Sequence, residues 1–178
     1  APVDARHVHG DDGMADLGWP HSTRVIDPRH AVELLRDVLL DAASPPLDDT
    51  DRRITLVPMA PLTNISLLLR TYPEVAAGLR EVVFMGGAAA VGNATASAEF
   101  NVFHDPEAAA IVLDACADLD IAVTMYGLDV FDAPVITRAE ADALIAVGGR
   151  GSAELAGRLI AFQCERFGRS GATIGDAG

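Results

Sequence analysis

Apolar residues recur along this chain at two alternating spacings. In "RHAVELLRDVLLDAA" Val32, Leu35 and Leu39 stand three and four residues apart, the interval of one helix face. Asp27 and Pro28 before it read as an N-cap and a first-turn proline. "SPPLDDTDRR" then breaks the pattern with prolines and charge, a solvated loop, and "ITLVPM" follows as a short apolar run of the kind that fills the centre of a parallel sheet. "PLTNISLLLRTYP" returns to helical spacing and stops at Pro73. Next come a strand in "EVVFMGG", a helix from "DPEAAAIVLDAC", a strand in "IAVTMYGL", and helices in "TRAEADALIAV" and "SAELAGRLIAFQCERF". Strand and helix in alternation predict an α/β fold, a mostly parallel sheet flanked by helices with right-handed crossovers. Ligands of such sheets gather at the carboxyl ends of the strands, which singles out "MAPLTN", "MGGAAAVGN" and "MYGLDVF". "HVHGDDGMADLGWPH" precedes the first helix and is too glycine-rich and polar for a core, so it reads as a long functional loop.

Length and composition narrow the picture. A chain of 178 residues without internal repeats or linkers reads as a single domain over residues 1–178, burying roughly 70% of the surface its unfolded form exposes. Half the residues are hydrophobic and 5% are aromatic, which suits helices on a buried sheet better than a β-sandwich. All 13 basic residues are arginine, and 26 acids bring the net charge to −13. Such a surface repels phosphate backbones, so nucleic acid and anionic membranes are excluded as expected partners. Cys116 and Cys164 lie in apolar surroundings with no CxxC spacing and read as buried free thiols of a reducing compartment. With no basic-apolar leader and no stretch of transmembrane length, the expectation is a soluble, cytoplasmic protein.

The stretch "MGGAAAVGNATASAEFNVFHDPEAA" carries the most chemistry. Gly87 and Gly92 fit the first half of G-x-x-x-x-G-K-[ST], but Asn93 and Ala94 occupy the positions of the lysine and hydroxyl residue. The dinucleotide pattern G-x-G-x-x-G fails too, since three alanines follow Gly86-Gly87. Phosphate binding is therefore disfavoured. Asn93, Glu99 and Asn101 can all exchange hydrogen bonds with hydroxyl groups beside glycines that permit close backbone approach, a set suited to a neutral polyol. The plainer alternative puts Asn93 in a left-handed turn and leaves Glu99 and Asn101 facing water. His104 with Asp105 suggests a metal site, yet Asp105-Pro106-Glu107 has the order of an N-cap, first-turn proline and dipole-favoured acid. "HVHGDDG" matches neither the calcium-loop pattern nor a helical zinc pair, and no nucleophile elbow is present.

Taken in order, "VHGDDG", "PLTNI", "VVFMGGA", "GN" and "AEFNVFHDPEAA" closely resemble the inosine-uridine preferring nucleoside hydrolases. The resemblance extends over essentially the whole chain and corresponds to the central part of that family's longer, Rossmann-like domain. It implies hydrolysis of the N-glycosidic bond of ribonucleosides to ribose and free base, with a Ca²⁺-bound water, by homo-oligomers that are dimers or tetramers. It further implies that the Thr63 backbone carbonyl contacts Ca²⁺, leaving its side chain free to cap a helix, and that Met85, Asn93, Glu99 and Asn101 hold the ribose with Phe100 lying against it. His9 matches a histidine near the nucleobase, as a leaving-group assistant. The chemistry is reasonable because fixed amides and carboxylates around the hydroxyls bind a positive, distorted ribosyl ring more tightly than the ground state. The family's acidic motif D-x-D-x-G-x-D-D and its second His-Asp-Pro are not found among these 178 residues. The alternative is a non-catalytic nucleoside- or ribose-binding protein, or an inactive fragment.

Overall fold

The helix predicted at Arg29–Ala43 forms, but later than its apparent cap. In a computed structural model describing residues 4–20, 22–44 and 51–174, it spans Ala31–Ala43 and its first turn is closed by His30, whose Nδ1 accepts the Val32 N–H at 3.2 Å. Asp27 is occupied elsewhere: it accepts the Arg29 backbone N–H at 2.9 Å and holds the Arg29 guanidinium through Nε at 3.0 Å and Nη2 at 2.7 Å. A two-pronged, charge-assisted grip outcompetes a cap. Residues 45–50 of the predicted proline- and acid-rich loop lie outside the described residues.

In chain order the elements are α1 (Arg6–His9), α2 (Ala31–Ala43), β1 (Ile54–Leu56), α3 (Thr63–Thr71), a 3₁₀ segment Pro73–Gly78, β2 (Leu79–Met85), α4 (Phe100–His104), α5 (Pro106–Asp118), β3 (Ala122–Tyr126), α6 (Leu128–Phe131), β4 (Val135–Thr137), α7 (Arg138–Ala146), α8 (Ser152–Phe167) and β5 (Gly171–Thr173). Short α1, α4 and α6 and strands β4 and β5 have too few residues to show a period, and the sequence pattern does not predict them. The described residues form two compact units, Ala1–Val25 with Val130–Gly178 and Ile26–Asp129. Among the described residues no helix is long and apolar enough to cross a membrane.

The Ile26–Asp129 unit holds the parallel sheet, in order β1-β2-β3. Alternate residues of central β2, Val82 and Phe84, enter the core with Leu39 of α2, Ile65, Leu68 and Leu69 of α3, and Val112 and Cys116 of α5. Helices thus flank a parallel sheet, as the alternating pattern predicts. Cys116 is completely buried and Cys164 nearly so, both as free thiols, and burial pushes the Cys116 thiol up from its ordinary value. α5 starts where "HDPEAA" predicts: Asp105 accepts the Ala108 N–H at 3.0 Å and Pro106 takes the first turn.

The second unit pairs β4 with β5 in antiparallel register, Ile136 opposite Ala172, beside α7 and α8. α7 begins with a capping box: Thr137 Oγ1 accepts the Glu140 N–H while Glu140 Oε2 accepts the Thr137 N–H at 2.8 Å. The "HVHGDDG" segment belongs to this unit and is not an open loop throughout. After α1, Asp12 Oδ1 accepts the N–H groups of Met14 at 2.6 Å and Asp16 at 2.9 Å, a turn in which Ala15 and Asp16 take positive φ. These donors hold the Asp12 carboxyl below its ordinary value, Met14 foremost. Arg166 Nε donates to the His7 carbonyl at 2.9 Å, and the Arg150 guanidinium lies 5.1 Å above the half-buried Trp19 ring.

Candidate functional site

β2 delivers Met85 to its carboxyl end, and the chain turns there through Gly86 and Gly87. Gly87 has φ +77°, a backbone conformation that favours glycine, whereas a Cβ there would meet only the movable Met125 side chain, at 2.6 Å from Sδ. Gly92 is required for a different reason: a Cβ there would meet the Ala98 backbone at 2.3 Å, where the loop folds onto itself. Asn93 N–H and Ala94 N–H both donate to the Ala98 carbonyl, at 3.1 and 2.9 Å. These glycines serve the loop's own closure, which explains their presence without a phosphate.

Glu99 ends the loop as the N-cap of α4. It is 2% exposed, so it does not face water as the plainer sequence alternative would have it. Its Oε2 accepts the Gly87 N–H at 3.0 Å and the Val102 N–H at 3.1 Å, while Oε1 accepts the Asn101 N–H at 2.8 Å. A carboxylate offers about four acceptor positions, so one, on Oε1, is left for a further donor. The carboxylate ties the glycine turn to the start of α4.

Asn101 follows in the first turn of α4, and its Nδ2 donates to the Met85 carbonyl and to Met85 Sδ, each at 3.2 Å. That places its amide donors on Met85 and leaves Oδ1 without a partner among the described residues. Asn93 is exposed, and its Oδ1 accepts the Phe100 N–H at 2.8 Å. It has no positive φ, so it fills no left-handed turn position. Phe100 is half-buried, its ring 5.7 Å from that of His104. Five of the residues singled out by sequence, Met85, Asn93, Glu99, Phe100 and Asn101, therefore form one connected cluster. The arrangement offers an amide oxygen, an amide NH₂ and a carboxylate oxygen beside a sulfur and an aromatic ring.

Thr63 reaches the edge of this cluster through Asp105, the residue after α4. Its hydroxyl donates to Asp105 Oδ2, a contact that, with the Ala108 N–H and the nearby His104, holds the Asp105 carboxyl below its ordinary value. The Thr63 side chain is thus engaged across to α5, and Leu62, not Thr63, precedes α3 as its cap residue. The Thr63 carbonyl accepts the Ser66 hydroxyl at 2.8 Å. Calcium takes about six to eight oxygen ligands. Among the described residues no three His, Cys, Asp or Glu side chains converge, so these residues by themselves do not fit a calcium ion. His9 belongs to the other unit; its side chain is exposed, and its carbonyl accepts the Ala15 N–H at 2.8 Å.

One residue of the cluster's frame escaped the sequence reading. Asp129, in the strand-end stretch "MYGLDVF", accepts the N–H groups of Ala89 at 2.7 Å and Ala90 at 3.1 Å. Those donors, Ala89 first, hold its carboxyl below the ordinary value. The available signal was an acid two residues after Gly127, just past the end of β3.

Comparison with known proteins gives the chain's relatives. The sequence model of the inosine-uridine preferring nucleoside hydrolases matches residues 1–177. The pyrimidine-specific ribonucleoside hydrolase RihB of Escherichia coli O157:H7 is 36% identical over 177 residues, covering 97% of this chain and 52% of that protein. The pyrimidine-specific ribonucleoside hydrolase RihA of Photobacterium profundum is 44% identical over 126 residues, 71% of this chain and 37% of that one. Among solved structures, a purine-preferring ribonucleoside hydrolase from Gardnerella vaginalis superposes with a TM-score of 0.81 at 27% identity, over 96% of this chain and 52% of its own. The chain spans about half the length of the RihB protein it matches. By the extent of the family match and the shared fold, this chain belongs to the inosine-uridine preferring nucleoside hydrolase family.

Proposed function

We propose that the cluster at the end of β2 holds the ribose of a ribonucleoside whose N-glycosidic bond is hydrolysed. The observation that carries this reading is the connected set Met85, Asn93, Glu99, Phe100 and Asn101, in which Asn101 Oδ1 and one acceptor position of Glu99 remain open beside β2. Ribose hydroxyls donate to such acceptors, and the exposed Asn93 Nδ2 supplies a donor to a hydroxyl oxygen. Phe100 offers an apolar surface to the sugar's carbon face.

In the reaction the C–N bond to the base breaks, water oxygen bonds to the anomeric carbon, and the departing base takes up a proton. Positive charge grows on the sugar as the base leaves. A fixed carboxylate and a fixed amide oxygen favour that charge more than they favour the neutral nucleoside, and they lose little by reorganising, because the backbone N–H groups of Gly87, Asn101 and Val102 already hold Glu99. For His9, which lies in the other unit, the nucleobase-side role is what the family resemblance implies, and the ribose reading does not depend on it. The Thr63 carbonyl is proposed as one oxygen toward Ca²⁺, and no acidic cluster among the described residues stands beside it in that role.

The test is ribose release, read as reducing sugar, by the protein as encoded, with calcium and each of uridine, cytidine, inosine and adenosine. The expected result is ribose and free base in equal amounts from at least one of them. No release from any of the four contradicts hydrolysis. A second reading, a non-catalytic ribonucleoside binder, is favoured by the absence of a converging acidic group among the described residues. It predicts binding of a ribonucleoside with no sugar released.

A further inference from the structure

We propose that Asp129 is a positioning residue that fixes the glycine loop in the conformation presenting Asn93. This inference rests on the ribose reading for its consequence but on geometry for its substance. Parallel β2 and β3 pair up to Met85 opposite Tyr126. Beyond the strand ends the pairing continues: the Gly86 N–H donates to the Tyr126 carbonyl at 3.1 Å, and the Leu128 N–H to the Gly87 carbonyl at 3.0 Å. At Ala89 and Ala90 the ladder changes character. The next acceptor is no longer backbone but the Asp129 carboxylate, with Oδ2 on Ala89 at 2.7 Å and Oδ1 on Ala90 at 3.1 Å.

A carboxylate that takes two consecutive N–H groups constrains more than a single bond does. Both oxygens are committed, so the peptide between Ala89 and Ala90 cannot rotate without losing one contact. The loop is then pinned on both sides. Glu99 holds Gly87, the Asn93 amide closes onto Ala98, and Asp129 sets the direction in which the chain leaves the sheet between them. Gly127 leaves room for this approach, since a Cβ there would stand 3.1 Å from the Gly87 carbonyl. The Asp129 carboxylate receives its hydrogen bonds from loop backbone, so its proposed effect on the sugar runs through the loop and Asn93.

Two readouts on the protein as encoded test this. Hydrogen exchange of Asp129→Ala is compared with wild type: Ala89 and Ala90 amides exchange roughly tenfold faster or more, as expected for losing hydrogen bonds to a charged acceptor, while Val82 and Phe84 are unchanged. Uridine affinity is then measured for Asp129→Ala, Asn93→Ala and the double variant. Asp129→Ala weakens binding, and the double variant binds no worse than Asn93→Ala alone, because the loop can misplace only what is there. Unchanged exchange at Ala89 and Ala90 overturns the proposal. Faster exchange with additive losses, or with full affinity retained, overturns the positioning role, since a merely structural tie would behave that way. Wild-type protein that does not bind uridine contradicts the ribose reading instead, and the exchange result alone then decides whether Asp129 holds the loop.

Discussion

Glu99 is a nearly buried acid whose charge is met by three backbone N–H groups. Removing it leaves those donors without an acceptor in a place water reaches poorly. Each stranded donor costs on the order of 1–3 kcal/mol, less where relaxation lets water in, so Glu99→Ala should lower stability by about 2–4 kcal/mol. Glu99→Gln keeps an oxygen and should cost less than half as much. Urea unfolding of the three proteins checks this, and a Glu99→Ala protein as stable as wild type would contradict the hub role. Asn93, Glu99 and Asn101 stand out in sequence as two amides and an acid after an apolar run, and Met85 and Phe100 enter through the family resemblance; the structure brings the five together. Their orientations are not legible in sequence. Nothing in "AEFN" tells that the acid turns inward to cap a five-residue helix or that the Asn101 amide is spent on Met85.

At the scale of elements, legibility followed length. The long periodic segments around Leu39, Leu68 and Val112 form helices where their spacing puts them, because each buries an apolar stripe in the one core that also holds Val82 and Phe84 of β2. α2 starts later than Asp27-Pro28 suggests because both Asp27 and His30 offer a cap, and in the folded chain Arg29 claims the Asp27 carboxylate. β4 and β5, three residues each, pair through contacts far apart in sequence, between Thr137 and Gly171 at one end. A three-residue strand carries no period to read. By contrast α5 was placed from its first residue, since Asp105 keeps its capping bond to Ala108 while also receiving the Thr63 hydroxyl.

At the scale of the whole molecule, a net charge of −13 with thirteen arginines and no lysine shapes the response to acid. Asp27 is held down to about 2 chiefly by the Arg29 guanidinium, and Asp51 to about 2 chiefly by that of Arg53. Asp105, Asp129, Glu140 and Glu154 are lowered as well. A carboxyl whose folded value is depressed contributes stability above its unfolded value and loses it as pH falls through the folded one. The protein should therefore keep its stability on acidification to the ordinary carboxylate range and lose it from there down to about pH 2. Exposed pairs contribute little singly, so the effect is collective. Relief of negative repulsion opposes it, and the double variant Asp27→Asn/Asp51→Asn should show a shallower acid loss in urea midpoints measured against pH. A steeper loss would contradict the assignment.

Ribose held by the cluster at the end of β2 can be followed spectroscopically because the chain is poor in side-chain amides. The 178 residues contain three asparagines, Asn64, Asn93 and Asn101, and one glutamine, Gln163, so side-chain NH₂ signals from this chain are few and separable by nuclear magnetic resonance. Titration of ¹⁵N-labelled protein with uridine should move the NH₂ signals of Asn93 and Asn101 together, with one saturation curve, while Gln163 on α8 stays as the reference. Uridine that saturates the protein and leaves Asn93 and Asn101 unmoved would contradict ribose binding at that cluster.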